Sequence, residues 1–178
     1  MNTNIMIDLK TTGTRPGCCI LSIGAVPFLD ESMSIEPFYE KISLAASKDL
    51  NFKSDPETMA WWSKQEEHIR EEAFSGTKDV VIVLSEFSSY LQELPAPPLV
   101  WGNGADFDNA ILAETYRVMK IPVPWKYNAS RCYRTLCALF PEVPRMKLDA
   151  AVAHNALADA RHKALHAEQI FIWRNRRI

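Results

Sequence analysis

The chain has 178 residues, 47% hydrophobic and 24% charged, with a formal net charge of −2 at neutral pH. That length carries one domain with its own core, taken as residues 1–178. A nearly neutral balance excludes a global basic field that gathers nucleic acid by electrostatics alone, so a polyanionic ligand has to be drawn in by bound metal or a local basic patch. No apolar run reaches the length of a bilayer span, and the first residues lack the charged start, apolar stretch and small-residue site of a signal peptide. Cys18, Cys19, Cys132 and Cys137 have neither zinc-finger spacing nor the pattern of a disulfide framework. They read as buried thiols, in a cytoplasmic protein with no membrane partner.

In chain order, Asn4–Leu9 is a short buried strand and Cys18–Phe28 a second. Between them stands the turn signal Gly13-Thr14-Arg15-Pro16-Gly17, which predicts an antiparallel hairpin. Phe38–Ile42 is a candidate third strand. Asp55-Pro56-Glu57 is a helix start, with a cap, a proline in the first turn and an acid beside it. Helix is expected over Pro56–Lys64 and again over Glu66–Phe74. Thr77 caps a further helix through Glu93, carrying Val80, Val81, Leu84, Phe87 and Leu91 on one side, and Pro95-Ala96-Pro97-Pro98 stops it. Leu99–Trp101 is a short strand, Asn109–Met119 a helix ended by Pro122-Val123-Pro124, Cys132–Phe140 another helix, and the last helix runs from about Asn155 to Arg174. The class is α/β, with early strands, then helices and one inserted strand.

Three acidic positions and a histidine stand out. Asp8 ends the apolar run Ile5-Met6-Ile7, Asp108 closes the run from Val100 to Phe107, and His154 precedes Asp159 by five residues. On a helix that spacing is a little over one turn, so both side chains can face one cavity. Carboxylates from distant segments suit hard divalent cations, which prefer oxygen ligands. Two-metal phosphodiester cleavage places Mg²⁺ or Mn²⁺ ions ~3.5–4 Å apart to clamp the attacking and leaving oxygens. Histidine suits the general base that takes a proton from water. A strand end is a rigid seat for a bridging ligand such as Asp8.

These strings carry a resemblance. Asp8-Leu9-Lys10-Thr11-Thr12-Gly13, Phe107-Asp108 and His154-x4-Asp159 resemble the three motifs of the DEDDh 3′→5′ exonucleases, the RNase H-like superfamily that includes RNase T and polymerase proofreading domains. More narrowly, the chain resembles the small bacterial and phage enzymes called exodeoxyribonuclease VIII-like. Ile20-Leu21-Ser22-Ile23-Gly24-Ala25-Val26, Trp61-Trp62, Trp101-Gly102-Asn103-Gly104, Pro124-Trp125 and Arg134-Thr135 extend the likeness over essentially the full length. The resemblance implies an RNase H-like mixed β-sheet flanked by helices. It implies metal-dependent hydrolysis of terminal phosphodiesters at the 3′ ends of single-stranded DNA or RNA, yielding nucleoside monophosphates. Asp8, Asp108 and Asp159 then hold Mg²⁺ or Mn²⁺, His154 is the base, and the protein is a homodimer.

The departure is Lys10. The family pattern is Asp-x-Glu, with the glutamate a metal ligand; lysine accepts no hydrogen bond and carries positive charge into the site. At 4 Å and an effective dielectric near 20, two unit charges interact by ~4 kcal/mol. An ammonium there swings out, displaces one metal, or mimics part of its charge against a phosphate. The expectation is therefore an exonuclease fold with weakened or absent activity. The alternative is a non-catalytic relative that binds nucleic-acid ends or a protein partner.

Bland readings compete at several positions. Asp106 rivals Asp108 and either could cap the following helix; Asp108 is preferred because it follows Phe107. Asp149 reads as part of the loop before the last helix. Thr11 and Thr12 are placed by the resemblance where backbone approaches the terminal nucleotide, and Asn103 either orients substrate or stabilises its glycine-flanked turn. Trp61 and Trp62, adjacent on a helix, point in different directions; one is core, and Trp62 is assigned a substrate role by stacking, worth ~1–3 kcal/mol per base. Arg131 and Arg134 are a solvated face or a contact with nucleic acid or a partner subunit. Arg161, His162 and Lys163 form a small basic cluster beside Asp159, either solvated or steering phosphate.

Overall fold

The computed structural model describes residues 2–29, 35–104, 106–148 and 154–177. β1 (Thr3–Thr11) and β2 (Ile20–Phe28) form the expected antiparallel hairpin, and β3 (Phe38–Lys41) pairs antiparallel with β2. Next comes α1 (Leu44–Asp49), a six-residue helix with no counterpart in the sequence reading; the Ser43 hydroxyl caps it by accepting from the Ala46 N–H. α2 (Pro56–Trp62) starts as expected, with the Asp55 carboxylate accepting from the Glu57 N–H at 3.1 Å. α3 (Glu67–Phe74) follows. α4 (Val80–Gln92) is capped by Asp79 rather than Thr77, the carboxylate taking the Val81 N–H at 2.7 Å.

β4 (Pro98–Gly102) lies parallel to β1, and α5 (Asp108–Val118) springs from just beyond its end. The segment expected to be helical from Cys132 divides into a three-residue strand, β5 (Ser130–Cys132), parallel to β4, and then α6 (Tyr133–Leu139). α7 (Ala156–Asn175) closes the chain, with the Asn155 side chain capping it through the Ala158 N–H at 3.0 Å. The sheet order is β3-β2-β1-β4-β5, a mixed five-stranded sheet flanked by helices, as the fold class required. Asp149 lies outside the described residues. No helix among the described residues is long and apolar enough to cross a membrane.

Strand alternation sorts β1 between two cores. Ile5, Ile7 and Leu9 join one cluster with Val83, Leu84 and Phe87 of α4 and Ile111, Leu112 and Tyr116 of α5. Each such side chain contributes ~1.5–3 kcal/mol by burial. Met6 points to the other face, where Trp101 and Tyr133 meet Ala160, Ala164, Ala167 and Ile170 of α7. Asp8 and Lys10 share the parity of Met6, so they face α7. The small side chains of α7 let its backbone approach the sheet closely. Gly24, opposite Asp8 on β2, is part of that fit: a Cβ there would run into the backbone of Ala156 and Leu157. The first turn of α7 is thereby seated over the end of β1.

Candidate active site

β1 and β4 run in the same direction, so their C-terminal ends form one rim, the usual place for a ligand in an open α/β sheet. Asp8 and Lys10 come from β1, Asn103 from the passage between β4 and α5, Asp108 from the first turn of α5, His154 from just before α7, and Asp159 and Lys163 from the first turns of α7. Asp8, Lys10, Thr11, Asn103, Phe107, His154, Asp159 and Lys163 line a cleft of about 590 Å³, together with Trp61 and Trp62 of α2.

Asp108 sits just behind this wall, 1% exposed. Its carboxylate accepts from the Leu9 N–H at 3.0 Å and the Asn103 N–H at 2.6 Å, which ties the start of α5 to the end of β1. Glycine at 102 permits the approach, because a Cβ there would strike the Asn109 amide. Burial and the neighbouring Asp8 charge push the Asp108 carboxyl above its ordinary value, against the pull of Lys163 and the two amides. Asp106 is exposed.

The three acids converge, and two ammoniums sit among them. Lys10 Nζ donates to Asp8 Oδ2 at 2.7 Å and also to Asp159 Oδ2, while Lys163 Nζ donates to Asp8 Oδ1. All four side chains are between 7% and 15% exposed. Burial alone would raise the Asp8 carboxyl; the Lys163 and Lys10 ammoniums overturn that and hold it below its ordinary value. Burial alone would lower the Lys10 ammonium, and Asp8 with Asp159 raises it instead. Lys163 lies one helical turn beyond Asp159 on α7, four residues on, so the pair share a face. That i, i+4 spacing is the sequence signal that separates Lys163 from its basic neighbours. Arg161 and His162 turn the other way, into an adjoining groove of about 560 Å³ with His68, Glu72 and Leu165.

Around this cluster the predicted side chains divide. His154 has a left-handed backbone, φ 68°, and its ring meets Trp61 edge-on at 5.0 Å. Trp61 is 42% exposed and Trp62 only 3%, reversing the assignment of the two. Trp62 is held inside because its indole N–H donates to the Thr11 carbonyl at 2.9 Å and its ring packs edge-on with Phe74. Thr11 remains at the cleft, its hydroxyl donating to the Gly13 carbonyl at 2.6 Å. Thr12 does not: it is fully buried, and its hydroxyl donates to the Lys53 carbonyl, so its side chain cannot meet a substrate. Asn103 lines the cleft, with its Oδ1 buried and unpaired among the described residues. Arg131 spends its guanidinium on the Asn128 and Ser130 carbonyls, and Arg134 is exposed away from the cleft lining.

A pair of divalent ions needs carboxylate oxygens free to coordinate. Here both oxygens of Asp8 and one of Asp159 receive ammonium protons, and position 10 supplies no oxygen at all. Among the described residues no trio of His, Cys, Asp and Glu is arranged to hold an ion. As folded, these residues do not fit a two-metal centre, because the Lys10 and Lys163 ammoniums occupy the acids.

The profile of a family described as the 3'-5' exoribonuclease Rv2179c-like domain matches residues 3–171. No match is found among curated protein sequences. Among solved structures, the chain is similar to the nuclease domain of 3'hExo, a DEDDh family member bound to rAMP. Identity is 14% and the TM-score 0.65, covering 96% of this chain and 92% of that one. It is also similar to E. coli exonuclease I in complex with a 5cy-dA13 oligonucleotide, at 18% identity and TM-score 0.64 over 97% of this chain and 41% of that one. S. pombe Pop2p in its Mg²⁺- and Mn²⁺-bound form matches at 12% identity and TM-score 0.52, over 96% and 81%. These likenesses show that the chain shares the fold of those nucleases, a mixed sheet flanked by helices.

Proposed function

The chain belongs to the 3'-5' exoribonuclease Rv2179c-like domain family, and from that premise we propose that its cleft receives the 3′ end of a single-stranded nucleic acid. Hydrolysis of the terminal phosphodiester is held far below what a glutamate at position 10 would permit. The observation that carries this reading is the ammonium of Lys10 bonded to both Asp8 and Asp159, at the centre of an otherwise assembled acid cluster. A hard dication in such a cluster would polarise the phosphoryl oxygen and ready the attacking water; an ammonium supplies charge but cannot coordinate water. His154 stands at the wall as the proton acceptor, and Trp61 offers the exposed aromatic edge of the same wall.

The substrate class follows from the family description, which names RNA, and from the similar structure that holds a deoxyadenosine oligonucleotide. The resemblance to the exodeoxyribonuclease VIII-like group adds DNA as the second candidate.

The test is 3′-directed shortening of 5′-labelled single-stranded RNA and DNA in millimolar Mn²⁺, for the wild type beside Lys10→Glu. The wild type is expected to leave the strands nearly intact. Lys10→Glu is expected to shorten one of them about 10²-fold faster or more, the scale of a lost transition-state electrostatic contact. A wild type as fast as the variant rules the reading out.

A further inference from the structure

We propose that Lys10 and Lys163 turn the cleft into a metal-independent grip for the terminal phosphodiester of a single strand, retaining the 3′ end without cleaving it. The inference rests on the reading that the cleft takes a 3′ end, and adds how that end is held.

Asp8 stands between two cations. One oxygen takes the Lys10 ammonium, the other takes the Lys163 ammonium, and Lys10 reaches on to Asp159. The carboxylate thus bridges two positive centres, the part a carboxylate plays between two metal ions. With glutamate at position 10 the cluster would hold four acids against the Lys163 ammonium, three formal negative charges for dications to balance. With lysine it holds three acids against two ammoniums, one formal negative charge. The exchange at position 10 alone thus carries the cluster two charges towards neutrality, so that the chain itself supplies much of the positive charge.

The ammoniums also have hydrogens to spare. Each carries three N–H donors. Among the described residues Lys10 spends two and Lys163 one, which leaves three. Both side chains line the cleft and are only 11% and 12% exposed, so what they present, they present to its occupant. Phosphodiester oxygens accept such bonds, and charge-assisted bonds strengthen where water is excluded. Because the cluster keeps a small negative charge, affinity comes from these bonds and from stacking on Trp61, with a shallow salt dependence rather than the steep one of a basic surface.

Fluorescence anisotropy of a 5′-labelled single-stranded oligonucleotide, in EDTA and in Mn²⁺, separates the possibilities. The wild type is expected to bind with the same Kd in both. Lys10→Met and Lys163→Met should each weaken binding in EDTA roughly tenfold, the worth of a hydrogen bond to a charged group. Lys163→Arg keeps charge and donors and should restore binding, which guards against a variant that merely misfolds. Lys10→Glu should lose binding in EDTA and regain it with Mn²⁺. Wild-type binding seen only with Mn²⁺ overturns the metal-independent grip and leaves the 3′-end site standing. Methionine variants that bind in EDTA as tightly as the wild type also overturn it. Binding in neither condition removes the 3′-end reading as well.

Discussion

Two lysine–carboxylate networks hold the start of α7, and they differ in what they leave over. In the first, Glu72 of α3 accepts from Tyr39 at 2.6 Å, from the Asn155 amide at 3.0 Å and from Lys41 at 3.1 Å, and Lys41 reaches on to Ser75 at 2.9 Å. Lys41 and Glu72 are 29% and 39% exposed, so water shares the charge. In the second, Asp8, Asp159, Lys10 and Lys163 lie shielded in the cleft wall with ammonium hydrogens unspent. The same pairing of residue types is a fastener where its donors are used up in solvent, and a place for a ligand where they are buried and in excess. Both acids are held below their ordinary values, Glu72 first by the Tyr39 hydroxyl, and Asp8 because the two ammoniums together outweigh burial, the largest single effect on it. Both depressions therefore contribute stability in full above the unfolded values of 4.5 and 3.8, and lose it as pH falls through the lower folded ones.

This contrast can be broken by substitution. Asp8→Asn leaves two shielded ammoniums short of a counter-charge and should cost ~3–5 kcal/mol in urea unfolding, the range for breaking a buried ion pair. Trp61→Ala touches neither network. It should weaken oligonucleotide binding by the ~1–3 kcal/mol of one stacked base while leaving the unfolding midpoint nearly in place, because the ring is already 42% exposed. Glu72→Gln loosens only the solvent-shared fastener and should cost below ~1 kcal/mol. If Glu72→Gln proves as damaging as Asp8→Asn, burial is not what separates the two networks.

The sequence displayed the hairpin, the cap of α2 and the three motifs, because each is set by local spacing or by a residue type at a fixed offset. The features it hid are tertiary. Three residues of β5 carry no periodicity, and only β4 beside them makes them a strand. Thr77 and Asp79 are both capable caps; the structure uses the one whose carboxylate meets the Val81 amide. Which tryptophan enters the core depends on the Thr11 carbonyl, 51 residues upstream of Trp62. Thr12 is lost to the cleft for a similar reason, its hydroxyl taken by Lys53. Lys163 was readable as a basic residue, but its pairing with Asp8 spans 155 residues of chain and needed the closed fold.

The alternation of β1 has an evolutionary corollary. Residue 10 faces Asp8 and Asp159 whatever its identity, because the backbone, not the side chain, sets its direction. A glutamate codon becomes a lysine codon by a single purine exchange at its first base. On this scaffold, the step from a site that recruits dications to one that supplies its own positive charge is a transition mutation, with no rearrangement of the sheet required.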